Sequence, residues 1–108
     1  MKLIHVLVTS MIVLVVLQAR TPFRVVALRL TKSCSGCPLK GVHIRNADLA
    51  GADLSNADLR WAKLDSVNLN HANLQGANLR YARLYNVTTK DTNFCGAILM
   101  DAVKGYCD

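Results

Sequence analysis

Leucine recurs every five residues through the middle of this chain, and that spacing excludes both ordinary ways of burying it. In "NADLAGADLSNADL", residues 46–59, each Leu follows an Ala two places earlier. On an α-helix, residues five apart are rotated by about 140°, so the Leu side chains would wind around every side. On a flat strand, five steps reverse the face each time. A chain that turns a corner every five residues does bury the set. Four corners close a coil of about 20 residues, and such coils stack at the strand spacing of about 4.8 Å.

The register runs without insertion through Leu39, Ile44, Leu49, Leu54, Leu59, Leu64, Leu69, Leu74, Leu79 and Leu84. Thr89 breaks it, and Phe94 and Leu99 resume. A small or apolar residue stands two places before each, as at Ala47, Ala52, Ala57, Ala62 and Val67. Leu fills the axis, and Ala fits where the wall bends inward. The ladder Leu49, Leu54, Leu59, Leu64, Leu69, Leu74, Leu79 and Leu84 is the expected core.

"ADLAGADLSNADLRWAKL" and "ANLQGANLRYARL" closely resemble the pentapeptide-repeat proteins, whose pattern is A(D/N)Lxx. The resemblance covers residues 37–101. It implies an all-β solenoid, a right-handed quadrilateral β-helix, here of about three coils. Leu and Ala point inward, and the other three positions point outward.

The residue just before each inward Ala sits at a corner. A type II turn there needs φ > 0, which Gly and Asn tolerate. Gly41, Asn46, Gly51, Asn56, Gly76, Asn86 and Gly96 fit. Trp61, Ser66, His71, Tyr81, Asp91 and Asp101 do not, which predicts a different turn at those corners. A 20-residue coil stacks Trp61 on Tyr81, with Lys40, Arg60 and Arg80 in one neighbouring column and His43, Lys63 and Arg83 in another. Arg60, Trp61, Arg80 and Tyr81 form the exposed aromatic and cationic cluster. Two readings apply: large side chains shielding a coil edge, with Arg stacked on the rings, or a contact patch for a protein or an acidic polymer.

Catalysis finds no support. His43 and His71 fall on different sides, His5 lies in an apolar run, and no His has a credible partner. Asp48, Asp53 and Asp58 occupy the repeat's ordinary Asp/Asn position and read as a solvated ladder. No metal site, cofactor or catalytic residue is expected.

Four cysteines allow three pairings. Cys37 and Cys95 stand almost three coils apart, roughly 14 Å at strand spacing, whereas a bridge needs Cα atoms within about 7 Å. Cys34–Cys37 and Cys95–Cys107 are therefore expected, one bridge at each end. Zinc would favour a second close pair, and thioredoxin-like thiol chemistry would need a βαβ setting. "KSCSGCPLKG" and "NFCGAILMD…YC" resemble an exported bacterial, often cyanobacterial, group of these proteins with Cys at both ends. In that group an Asp is usual where Pro38 stands here. Structural bridges imply an oxidising compartment such as periplasm or thylakoid lumen.

The formal charge of +6 is uneven. Residues 1–45 carry seven basic residues and no acid, while residues 46–108 carry six basic residues against seven Asp. The basicity thus belongs to the N-terminal region, and no nucleic-acid partner is expected. A basic segment beside an apolar run points to a membrane surface. That run, "LIHVLVTSMIVLVVLQA" at residues 3–19, fits a signal peptide cleaved near Ala19, a retained signal anchor, or a buried helix. Phe23, Val26, Ala27 and Leu30 have helical spacing, with Pro22 in the first turn and Thr21 as cap. This predicts a short helix over 21–33 that covers the open first coil or lies on a membrane, giving possible membrane contact through residues 3–30.

The expected organisation is residues 1–19 as signal or anchor, 20–36 as N-terminal capping segment, 37–101 as repeat and 102–108 as C-terminal cap. The expected function is a small non-catalytic exported scaffold or interaction module with an unidentified protein partner. A membrane-anchored repeat protein is the alternative. A gyrase-type DNA mimic, which needs a long acidic rod, and a CxxC oxidoreductase rank below it.

Overall fold

Corners and stacked pairings organise the whole repeat. The computed structural model describes residues 23–107. The apolar run at 3–19, with its signal, anchor or buried-helix readings, and Thr21 and Pro22 at the helix start lie outside those residues. The elements in chain order are helix α1 (Phe23–Thr31) and strands β1 (His43–Asp48), β2 (Lys63–Asn68) and β3 (Arg83–Tyr85). The strands form one parallel sheet in the order β1-β2-β3. His43 faces Lys63 and Lys63 faces Arg83.

The same offset recurs on the other sides as parallel bridges. Ser33, Asp53, Asn73 and Asn93 form one column, and Pro38, Asp58, Asn78 and Ile98 another. Asp48, Asn68 and Thr88 form a further one. Each coil bonds its neighbour in both directions: Leu59 N–H donates to Asn78 C=O (2.7 Å), and Asn78 N–H donates to Ala57 C=O (2.9 Å). These bonds satisfy the backbone at a wall that has no water on its inner side.

The predicted ladder is buried from Leu49 through Leu79, each at 2% exposure or less, with the Ala positions closing around it. Leu84 is only partly buried, because no further coil covers it. Thr89 is exposed. At the next inward position Thr92 is half-buried, and its hydroxyl donates to Leu69 C=O (2.7 Å).

The corners correct one expectation. Ala52 N–H donates to Leu49 C=O (3.0 Å) around Gly51, whose φ is +70°. Trp61, Ser66, His71, Tyr81 and Asp91 adopt the same left-handed conformation, with φ between 54° and 62°. At Trp61, His71, Tyr81 and Asp91 the same turn bond closes, whereas Ser66 lies inside strand β2, as Asn46 lies inside β1. The column imposes the shape: Trp61 N–H donates to Arg80 C=O (3.1 Å) and Ala62 N–H to Leu59 C=O (3.1 Å). The strain of a side chain at such a corner, roughly 1–2 kcal/mol, is outweighed by keeping the ladder in register. Asp101 alone among the six lies outside the left-handed region, and Ala102 (φ 65°) takes the turn as the chain leaves the register.

The N-terminal helix forms where expected but turns a different face inward. Val25 and Leu28 are fully buried against the repeat, while Phe23 and Leu30 are 73% and 80% exposed. The helix carries apolar residues on two stripes, so spacing alone does not choose between them. Burial of Val25 and Leu28 sets the face, and beside them Arg29 donates to Arg45 C=O (2.7 Å) and Arg24 to Pro38 C=O (3.5 Å). Among the described residues, no helix is long and apolar enough to cross a membrane.

The C-terminal segment folds back on the last side of the coil. Ile98 pairs antiparallel with Lys104, Leu99 N–H donates to Val103 C=O (2.9 Å), and Gly105 N–H donates to Ala97 C=O (2.8 Å). A Cβ on Gly105 would collide with the Phe94 carbonyl oxygen, so only glycine passes there.

Candidate interaction surface

Two aromatic rings stack at one corner of the coil. Trp61 and Tyr81 have ring centroids 4.4 Å apart and planes inclined by 27°. They are 55% and 47% exposed. The corner conformation points both side chains outward, and the 20-residue offset aligns them. Arg80 lies over Tyr81, with Cζ 5.0 Å from the ring centroid, a cation–π contact.

Arg60 behaves differently from its column-mate. Its Nε donates to Asp58 Oδ1 (2.8 Å) and its Nη2 to Asp58 Oδ2 (2.6 Å), a two-pronged pair. This partnership holds the Asp58 carboxyl below the usual carboxylate range and raises Arg60. Arg60 is therefore neutralised within the protein and is not shown stacking on the rings. Among the described residues only two ion pairs occur, Arg60–Asp58 and His71–Asp91. Lys40, Lys63, Arg80 and Arg83 stand exposed on the columns flanking that corner, with no carboxylate of the described residues within salt-bridge distance.

His43 is tied to its own face, where its Nε2 accepts from Arg45 Nε (3.0 Å). His71 corrects another expectation: its Nδ1 stands 3.8 Å from Asp91 Oδ2, one coil further on at the same corner. The 20-residue offset that aligns Trp61 with Tyr81 also aligns this pair. Among the described residues, no three His, Cys, Asp or Glu gather where they could hold a metal ion.

The repeat's Asp/Asn position proves to be structural. Asp48, Asp53 and Asp58 each accept the backbone N–H two residues ahead, from Ala50, Ser55 and Arg60. Asn68, Asn73, Asn78 and Asn93 do the same. Each side chain thus spans the inward residue, Leu or in one case Phe94, and holds the first corner residue, which only a short acceptor does well. The Ser55 hydroxyl adds a second donor to Asp53 (2.6 Å) and draws its carboxyl below the ordinary range.

Cys34 is bridged to Cys37, and Cys95 to Cys107, with Cα separations of 5.2 and 4.5 Å. The first bridge staples a single corner, where Cys37 N–H also donates to Cys34 C=O (3.2 Å). The second ties the C-terminal fold-back to the last side of the coil.

A family model described as "Pentapeptide repeats" matches in 8 copies, over residues 33–70, 43–80 and 57–88. No curated protein matches significantly. Among solved structures the chain is similar to a pentapeptide repeat protein from the cyanobacterium Cyanothece 51142. That match has 24% identity over 68% of this chain and 81% of the other, with a TM-score of 0.38. A pentapeptide repeat protein from Nostoc Pcc 7120 matches at 38% identity over 62% of this chain and 60% of the other, with a TM-score of 0.36. One from the Arabidopsis thaliana thylakoid lumen matches at 22% identity over 57% of this chain and 64% of the other, with a TM-score of 0.30. The chain thus spans less than two thirds of the length of the latter two.

Proposed function

The chain belongs to the pentapeptide-repeat family, and on that premise we propose that it is a small, non-catalytic, exported module that binds a protein through the Trp61 corner. The observation that carries this reading is the exposed Trp61–Tyr81 stack beside four cations with no carboxylate partner among the described residues. An edge shield accounts for Arg80 over Tyr81 but has no use for Lys40, Lys63 and Arg83. A contact surface uses the rings and the cations, since aromatic residues and Arg carry most binding energy at protein interfaces. The coil is taken as right-handed and four-sided, with about three turns. Residues 1–19 act as signal or anchor, 20–36 as N-terminal cap, 37–101 as repeat and 102–108 as C-terminal cap. Export is favoured by the two bridges, which persist in an oxidising compartment.

Capture of partners from an envelope extract tests the contact surface, using the wild-type protein beside a variant with Arg60, Trp61, Arg80 and Tyr81 all changed to Ala. The proposal expects the bound protein to disappear with the variant. Undiminished capture overturns it.

A second reading has its own observation. Phe23 and Leu30 project from α1, and the described residues up to Arg45 carry Arg24, Arg29, Lys32, Lys40 and Arg45 with no acid. A membrane-associated repeat protein would present this basic, apolar end to an anionic lipid surface. Brominated-lipid quenching of a Trp placed at position 30, in a Trp61→Phe background, tests it. Quenching supports the reading, and its absence in vesicle-bound protein removes it.

A further inference from the structure

We propose that the Trp61 corner is a slot for an acidic protein segment carrying one aromatic side chain, which stacks on the Trp61 face that looks toward Gly41. This rests on the contact-surface reading and names the partner's chemistry. Tyr81 covers one face of Trp61. The next position of the column on the other side is Gly41, whose N–H donates to Arg60 C=O (2.8 Å) and so fixes it one coil away. Gly41 carries no side chain, and no described residue comes within 4 Å of where a Cβ would stand. Among the described residues the stack therefore stops one ring short, with no side chain at the Gly41 corner. Aromatic pairs prefer centroid separations of about 4.5–7 Å, so a third ring fits beneath Trp61 as Tyr81 fits above it.

The charges around the gap define what accompanies the ring. Lys40 precedes Gly41 and Lys63 follows Trp61 by two residues, and neither has a carboxylate within salt-bridge distance among the described residues. Arg60 is neutralised by Asp58, and His43 is engaged with Arg45. The surface thus offers one ring site between Lys63 and Lys40, the latter already facing the Asp58 carboxylate beyond salt-bridge distance, and not an unbroken cationic track. A nucleic-acid backbone draws on many phosphate contacts. A peptide with one aromatic residue between carboxylates matches the local pattern.

Trp61 is the chain's single tryptophan, so its fluorescence reports the site directly. The full chain is titrated at low ionic strength with a synthetic peptide holding one phenylalanine between pairs of glutamates. Parallel titrations use the same peptide with alanine for phenylalanine, and an oligogalacturonate of equal charge. Gly41→Tyr supplies the third ring from within the protein, at a corner conformation that Trp61 and Tyr81 already adopt. Lys40→Glu with Lys63→Glu reverses the flanking charges and leaves the corner backbone untouched, which guards against misfolding of the first variant. The proposal expects a shift of Trp61 emission with the phenylalanine peptide. It also expects at least tenfold weaker binding of the alanine peptide, and of the phenylalanine peptide to either variant. No emission change up to about 1 mM peptide, equal binding of the two peptides, undiminished binding by the variants, or preference for the oligogalacturonate each overturns it. Should the peptide fail while the four-residue variant still loses its captured protein, the partner chemistry is wrong and the contact surface stands. Should the peptide bind while capture is unaffected by that variant, the contact-surface reading fails on its own.

Discussion

Trp61 lies face to face with Tyr81, centroids 4.4 Å apart, at corners whose left-handed backbone ordinarily favours glycine or asparagine. Each residue holds a conformation that is strained for a bulky side chain, and each recovers part of that strain through the stack.

Two substitutions at one position separate strain from stacking. Trp61→Ala loses the stack, about 0.5–1.5 kcal/mol, and keeps a Cβ at positive φ. Trp61→Gly loses the same stack and relieves the strain. Trp61→Gly should therefore be the more stable of the two by roughly 0.5–1 kcal/mol, read as urea midpoints at constant slope. The reverse order would mean that the corner is not strained.

The inner ladder should weaken toward the C-terminal end. Leu64, at 2% exposure, is packed on all sides, and Leu64→Ala should cost about 2–5 kcal/mol. Leu84 is only partly buried, and Leu84→Ala should cost clearly less. Equal losses in denaturant unfolding would show that the last coil is covered in solution.

Acid should erode stability through two carboxyls. Asp58 is held below its ordinary value chiefly by the side-chain bond from Arg60, and Asp53 chiefly by the Ser55 hydroxyl. Folded values below an unfolded value of about 3.9 mean that their contribution is complete above that pH. It is lost as pH falls through the lower folded values, where the native state must take up protons. Unfolding midpoints of Asp53→Asn/Asp58→Asn should fall less steeply than wild type below about pH 4. Parallel curves would assign the acid sensitivity elsewhere.

The two bridges should contribute unequally. Cys34–Cys37 closes a separation of 3 and Cys95–Cys107 one of 12. Loop entropy gives about 2 kcal/mol for the shorter and about 3 kcal/mol for the longer. Cys95→Ser/Cys107→Ser should accordingly lower the melting temperature more than Cys34→Ser/Cys37→Ser. Gly105→Ala should also destabilise the C-terminal end, through the clash with Phe94.

Much of this was legible in the residues because a period of five leaves one economical way to bury leucine. The ladder from Leu49 to Leu79, the Trp61–Tyr81 alignment and the cysteine partners all follow from a 20-residue coil. What escaped reading depends on choices that periodicity does not make. Helical spacing fits the Phe23–Leu30 stripe of α1 but also a second stripe, and it is Val25 and Leu28 that pack inward, with Arg24 and Arg29 bonded to the coil beside them. Side-chain preference argued against left-handed backbone at Trp61 and Tyr81, but the column of coil-to-coil bonds overrides preference. The aspartates looked merely solvated, because hydrogen bonding to an N–H two residues ahead leaves no mark in the pattern beyond the Asp/Asn alternation itself. His71 and Asp91 stand 20 residues apart, the same offset that aligns Trp61 with Tyr81.

The most direct test of the contact surface measures stability and binding on one variant, Trp61→Asn/Tyr81→Asn, which restores ordinary corner residues. Unfolding free energy and affinity for the phenylalanine–glutamate peptide are determined on the same preparation, with binding followed by calorimetry. The account predicts stability within about 1.5 kcal/mol of wild type and affinity reduced at least tenfold. A large loss of stability with affinity unchanged would contradict it and leave the stack as an edge shield.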